Sequence, residues 1–531
     1  MDDLGFFDAY CVVGRHLRLT PEGLHTARDL LGEMDHLGIA EAMVVDSLSR
    51  ECHVADGNLR VLEVCRESPR LHTAWAALPP GVADEQPSPE ELLAQMRRHR
   101  VGALFLFTGQ YQFNLTDWCV DELLAPMAEA GVPVFVVPND IGPGPFANWD
   151  RANWKEVVQL CRRLPKLPVV VSEIRIRRVQ RMIYRALDAC DNLHIELSGY
   201  WLHHGIEYVT RRWGSRRLIF GSNWPQWGQA MTVASVSQAD ISHEDKRSIA
   251  GDNLRRLISW CKPERPAVEL PPPADEFVQF ARTGRRPAGM TFLDCHGHFG
   301  RASHYHLPDS SLEDVVAEMD RMGVRKVLLF GFAGVFSDER FGNDVVAEAL
   351  RRHPDRFVGL AVLNPHRGKE GMLQEMHRCG QMGFRGIKLI AHYQIHSEEG
   401  PWLDVPCRWA HERRQIVLNH NWGSPAQMER LVSAYPDACF ITGHSTGAYA
   451  EIMKKHPNLY VCTCPLAGPR DCERLVASIG AERLLFGSDL LDLPISWGLG
   501  PILFGRISPE QKRMILGENL RQVLERCGLQ P

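Results

Sequence analysis

The chain repeats itself once over roughly half its length, and that repeat constrains its fold more than any other feature. Leu218-Ile219-Phe220-Gly221-Ser222-Asn223 returns as Leu484-Leu485-Phe486-Gly487-Ser488-Asp489, and Gly251-Asp252-Asn253-Leu254-Arg255 returns as Gly517-Glu518-Asn519-Leu520-Arg521. Asn223 and Asp489 stand 266 positions apart, as do Gly251 and Gly517. A third pair, Gly5 to Gly14 against Thr291 to Gly300, is offset by 286, so the first copy carries about twenty more residues between its anchors. Two matches at one offset, both at element ends, indicate one structural unit written twice.

Each copy has about 250 residues, the usual size of a (β/α)₈ barrel. In the second copy, short apolar runs alternate with segments of helical period, as repeated βα units require. The expected strands are Thr291–Cys295, Lys326–Phe330, Phe357–Leu363, Gly386–Ile390, Gln415–Asn419, Cys439–Thr442, Leu459–Cys462 and Leu484–Phe486. Helices are expected at Leu312–Met322, Asn343–His353 and Pro425–Tyr435. Eight strands buried on both faces favour a closed parallel barrel, with a doubly wound open sheet as the alternative. The reading is therefore α/β, two (β/α)₈ barrels in tandem: residues 1–262, a Pro-rich linker 263–289 and residues 290–531. The linker holds Pro263, Pro266 and Pro271-Pro272-Pro273, which break helix and sheet alike; Asp275 to Arg282 could form one short amphipathic helix.

Sixty basic against sixty-five acidic residues leave a formal charge of -5, with no basic block of the kind that tracks nucleic acid. No apolar run is long enough for a membrane span, and the acidic start is unlike a secretory signal. Fifteen cysteines in 531 residues are too dilute for a disulfide scaffold and read as reduced, buried thiols of a cytoplasmic protein.

A barrel presents its chemistry at the C-terminal ends of its strands. In the second copy the polar residues there are His296 and His298 after the first strand, Lys388 on the fourth, His420 after the fifth, His444 after the sixth and Asp489 after the eighth. Alternate residues on a strand point the same way, so both histidines of His296-Gly297-His298 can reach one ion. Imidazoles with one carboxylate suit zinc, iron or manganese, with room for water or substrate. A single histidine is more often a surface or core residue, as His353, His377, His411 and His456 read; an ordered set at strand ends is much harder to obtain by chance.

Asp294-Cys295-His296-Gly297-His298, Gly386-Ile387-Lys388-Leu389, Asn419-His420, Gly443-His444, Gly487-Ser488-Asp489 and the closing Gly517-Glu518-Asn519-Leu520-Arg521 resemble the amidohydrolase superfamily, more narrowly its amidohydrolase-2 branch. That branch includes aminocarboxymuconate-semialdehyde decarboxylase and resorcylate-type decarboxylases beside hydrolases and lactonases. The resemblance implies that His296, His298, His420 and Asp489 hold one divalent ion, zinc first, with manganese or iron as alternatives. It implies His444 as general acid/base, with Asp489 able to share that work. Lys388 would either be carboxylated and bridge a second metal, or hold a substrate carboxylate, or pair with Asp489. A snorkelling structural role is its bland alternative.

The aromatics Tyr393 and Trp422, with His392, Trp402 and Trp497, could line a pocket for a planar small-molecule substrate, although core packing explains some of them as well. In the first copy, Tyr10, Val12, Leu104, Val137, Glu173 and Asn223 align with the six polar positions, and such a set does not make a tight cation site. That half is expected to be a degenerate copy that pairs with the catalytic barrel, as neighbouring subunits of related dimers do, with a homo-oligomer also possible. Its basic run offers Arg178 or Arg181 to a substrate carboxylate. The alternative is a solvated face. Hydrolysis of an amide, lactone or ester is the first expectation, decarboxylation the second, and a non-catalytic scaffold the third.

Overall fold

The computed structural model describes residues 4–17, 20–82, 84–138, 152–173, 179–301 and 304–531. Contacts divide the chain into two compact units: Met1–Trp201 with Gly205–Gly284, and Arg285–Pro531 with Leu202–His204.

In the first unit eight parallel strands follow one another in sequence order: β1 (Phe6–Val13), β2 (Ile39–Asp46), β3 (Leu71–Ala76), β4 (Ala103–Leu106), β5 (Val134–Val136), β6 (Val169–Val171), β7 (Leu193–Glu196) and β8 (Leu218–Ile219). The second repeats the order with β9 (Phe292–Phe299), β10 (Val324–Gly331), β11 (Phe357–Val362), β12 (Gly386–Leu389), β13 (Ile416–Asn419), β14 (Cys439–Thr442), β15 (Leu459–Cys462) and β16 (Leu484–Leu485). Each sheet curls until its first strand meets the chain leaving its last. Ala9 N–H donates to Phe220 O at 3.0 Å in the first, and Cys295 N–H to Phe486 O at 2.8 Å in the second. Two (β/α)₈ barrels in tandem are thus the fold, and the open sheet is excluded.

The strands form because runs such as Val169–Val171 and Cys439–Thr442 are short, β-branched or apolar, and buried throughout. Several helices start on side-chain caps, and some stop on glycine. Leu312–Met322 is capped by Ser311, which exchanges bonds with Asp314, and ends at Gly323 with φ 80°. All fifteen cysteines are free thiols, most of them buried. Within 263–289 the helix Glu276–Thr283 buries Phe277, Val278, Phe280 and Ala281, and Arg282 donates to the carbonyls of Asp35 and His36. The helix of that segment is therefore packed on the first unit, while the prolines before it are exposed or half-buried.

The interior of the first barrel is aromatic, with Phe105 and Phe135 stacked 4.6 Å apart, but β7 ends on a buried acid. Glu196 accepts from Ser172 Oγ, Ser198 Oγ and the Ser198 N–H, each at 2.6 Å. Burial nevertheless pushes its carboxyl up to about 7. The folded chain thus holds this proton more tightly than the unfolded one. Stability is full below pH ~4.5, declines towards pH ~7 and then levels off, a loss of about 3 kcal/mol. Glu196→Gln keeps the shape and removes the titration. Melts at pH 5 and pH 8 should show E196Q matching the parent at the lower pH and exceeding it at the higher; equal curves at both would refute the assignment.

Candidate metal centre

Asp294 organises the mouth of the second barrel. Fully buried on β9, it accepts from the N–H of His296 at 2.9 Å, the N–H of Ser488 at 3.1 Å and the Ser488 hydroxyl. Burial pushes its carboxyl up to about 7, so these three donors hold it in place against a desolvation cost. They also tie β9 to the segment after β16. Asp489 N–H then donates to His296 O at 2.9 Å and His298 N–H to Leu490 O at 3.0 Å, which zips the two segments together. Asp489 adopts φ 61°, a left-handed conformation unusual for a residue with a side chain. The close approach requires Gly487: a Cβ there would lie 2.3 Å from Cys462 Sγ and 3.0 Å from the Cβ of His296. Gly487→Ala should therefore displace His296, lowering stability by about 1–3 kcal/mol and weakening metal binding. Melting and metal titration of the same sample read both effects.

His296 and His298 both lie within β9, which runs to Phe299 and does not end at Cys295. The strand continues because Gly297 and His298 stay paired with Leu329 and Phe330 of β10. His298 Nε2 lies 2.8 Å and His296 Nε2 3.4 Å from Asp489 Oδ1, and the ligand atoms of these three residues are within 4.8 Å of one another. Two donors bound about 2.1 Å from one cation at roughly 90–110° are about 3.0–3.4 Å apart; the His296–Asp489 distance falls in that window, and the His298–Asp489 hydrogen bond would lengthen slightly to admit a shared ion. The protonation states fit as well. Burial opposes ionisation of Asp489, but the His298 bond and the nearby imidazoles outweigh it and hold the carboxyl well below its usual range. Burial, reinforced by Lys388, holds His296 well below the usual histidine range, in the neutral form that a metal needs.

His420 follows β13 and does not join that three-atom group. Its ring is 4.0 Å from His444 and 4.4 Å from His392, and burial, then His444 and Lys388, depress its pKa strongly. Its Nδ1 is buried with no hydrogen-bond partner. His444 stands 6.5 Å from His296, ring to ring, so two imidazoles flank the cluster on one side. Lys388 is fully buried on β12, its Nζ 4.5 Å above the Phe330 ring and without a hydrogen-bond partner. Burial lowers its pKa to about 8.

The sequence profile of the amidohydrolase family matches residues 18–260 and again 293–526. The chain belongs to this family. Among solved structures it is similar to 5-carboxyvanillate decarboxylase from Sphingomonas paucimobilis, at 14% identity over 45% of this chain and 99% of that one, with a TM-score of 0.35. It is also similar to a dihydroxybenzoic acid decarboxylase with bound manganese from Polaromonas, at 14% identity over 44% and 96%, TM-score 0.35. The third is 4-oxalomesaconate hydratase from Rhodopseudomonas palustris, at 16% identity over 45% and 97%, TM-score 0.35.

The remaining expected site residues divide. Tyr393 is 43% exposed, packing on His392 and 5.7 Å from Phe336. Trp422 has no exposed surface; its Nε1 donates to Ile441 O at 3.0 Å and its ring packs on Phe440, so the core takes it out of the pocket wall. Arg181 is exposed in the helix Gln180–Ala189, and Arg178 lies outside the described residues. Reading by residue type missed Phe332, stacked 4.5 Å from the His298 ring, and the role of Asp294. The signal for the latter was the Asp8–Asp294 match between the repeats.

In the first barrel, Tyr10, Val12, Val137, Glu173 and Asn223 hold the positions of His296, His298, His420, His444 and Asp489. One alignment is corrected. Phe105, not Leu104, matches Lys388, because it pairs with Phe135 of the next strand as Lys388 pairs with Leu418, and its side chain enters the barrel core. Among the described residues no group of potential metal ligands occurs in this unit.

Proposed function

We propose that the second barrel is a divalent-metal-dependent hydrolase that cleaves an amide, lactone or ester bond of a small molecule. The observation that carries this reading is the meeting of two imidazoles, that of His296 held neutral, and an ionised carboxylate at one buried point of the barrel mouth. His296, His298 and Asp489 would hold the ion, with His420 as the fourth ligand; zinc is the first choice, and manganese or iron suits the same donors. Such an ion supplies Lewis-acid polarisation of a carbonyl and a lowered pKa for water.

The protein's own groups supply the rest. His444 lies beside the cluster and exchanges the proton that leaves water and reaches the leaving group. Asp489 is held ionised and can share that proton. Lys388 fixes a substrate carboxylate, and Tyr393 with Phe336 offers an aromatic wall. A second reading, decarboxylation of a small aromatic or unsaturated acid, is favoured by Lys388. A buried ammonium without a hydrogen-bonding partner is well placed to anchor the carboxylate that such a substrate must carry.

Metal analysis separates enzyme from scaffold: about one ion per chain supports the single site, about two a carboxylated Lys388, and none after loading removes the proposal. Proton release from a panel of lactones, esters and amides, run beside CO₂ release from hydroxybenzoic acids, separates the reactions. CO₂ release with no hydrolysis would replace the first reading by the second.

A further inference from the structure

The first barrel keeps the scaffold of a strand-end site while losing its ligands. Asp8 accepts from Tyr10 N–H at 3.2 Å, Ser222 N–H at 2.9 Å and Ser222 Oγ at 2.5 Å, the same bonds that Asp294 makes in the second. Asn223 has φ 54°, close to the 61° of Asp489. The backbone thus still aims residues 10 and 223 as it aims His296 and Asp489. What it aims has changed from cation ligands to hydrogen-bond donors and an amide.

A cation of the protein's own stands beside them. Arg50 follows β2 and is only 4% exposed. Its Nη1 donates to Asn223 Oδ1 at 3.4 Å and its guanidinium lies 6.0 Å from the Tyr10 ring. The matching residue of the second barrel is Val335, a core side chain. Asn58 and Asn343 set that register, since each donates to the carbonyl that ends the following strand, Ala76 O and Val362 O. Arg50 makes no ion pair among the described residues. The nearby acids are engaged elsewhere, Glu51 with His16 and the Leu17 N–H, Glu196 with Ser172 and Ser198. Tyr10 Oη is buried with no hydrogen-bond partner, as is Nε1 of Trp224, the residue after Asn223. A guanidinium removed from water without a direct ion-pair partner is costly, even with Glu51 close enough to feel its charge, and so is each unmet donor. All three shortages call for one kind of group, an acceptor with negative charge.

We propose that the mouth of the first barrel is an anion site in which Arg50, Tyr10 and Asn223 bind a small monocarboxylate, where His296 and Asp489, the counterparts of Tyr10 and Asn223, would hold a cation. The guanidinium fork takes the two carboxylate oxygens, the Tyr10 hydroxyl donates a further bond, and Asn223 orients Arg50. One cation with neutral donors suits a singly charged carboxylate better than a phosphate dianion.

The test is calorimetric titration of the full chain, stripped of metal, with acetate, benzoate and inorganic phosphate. It is run in wild type and in Lys388→Met, which silences the fixed cation of the other barrel. Carboxylate binding that persists in K388M, weakens about tenfold or more in Arg50→Met and falls by a smaller factor in Tyr10→Phe supports the site. Tyr10→Phe removes one oxygen and stays informative if R50M fails to fold. No binding of acetate or benzoate up to about 10 mM would mean that the donors are hydrated, and overturns the proposal. Binding that is indifferent to both R50M and Y10F, or tighter for phosphate than for either carboxylate, overturns it equally.

Discussion

Asp489→Ala is expected to strip the second barrel of its metal and to lower turnover by on the order of 10³-fold or more, about 4 kcal/mol of transition-state stabilisation. Asp489 is the only carboxylate of the three-residue group, and its Oδ1 is the atom on which both His296 and His298 converge. Without it, two imidazoles remain 5.5 Å apart, ring to ring, with no negative charge to offset a divalent cation. The same carboxylate is a candidate to take a proton during the reaction, so metal loading and chemistry should fail together. Asp489→Asn keeps the shape but not the charge and should retain part of the metal at saturating concentration. Elemental analysis after dialysis, with His298→Ala in parallel, reads the effect directly. Stoichiometric metal and undiminished turnover in D489A would sink the proposed centre.

The second large effect is on stability. Asp294→Ala should destabilise the second barrel by about 3–5 kcal/mol, because it leaves three buried donors unmet and opens a small cavity beneath His296. Asp294→Asn should largely rescue it, since its amide oxygen can accept from the His296 and Ser488 N–H groups while its NH₂ donates to the Ser488 hydroxyl. The repeat supplies an internal control: Asp8→Ala removes the same bonds in the first barrel. Because two units need not melt as one, the readout is which transition moves. D8A is expected to weaken the first unit with metal content intact, whereas D294A weakens the second and loses metal. Loss of metal in both would mean that Asp294 does not act locally.

Much of this was legible from residue order. The strand expected at Cys439–Thr442 has those bounds, and the helix expected at Leu312–Met322 spans those residues. Both rest on local signals, an uninterrupted apolar run in one case and a capping serine with helical period in the other. The signals failed where partners decide. His296-Gly297-His298 carries little strand propensity, yet it remains in β9 because β10 and the segment after β16 bond it on both sides. A one-residue slip put Leu104 where Phe105 belongs, since alternate residues of a strand face opposite ways and an apolar pair gives no hint of which faces in. Arg50, within Ser47-Leu48-Ser49-Arg50-Glu51, carries no local signal of burial; the folded barrel buries it.

Residue order alone therefore determined the duplication, the eight-strand plan of each half and the polar side chains that end the strands, because periodicity and apolar runs act over a few positions. Tertiary structure decided which of those side chains meet. His298 and Asp489 are 191 residues apart and are joined by closure of the sheet and a left-handed turn at Asp489, while His420 is drawn towards His444 and Trp422 into the core. Such convergence depends on the sum of strand registers around a barrel, a quantity that no short stretch of sequence contains.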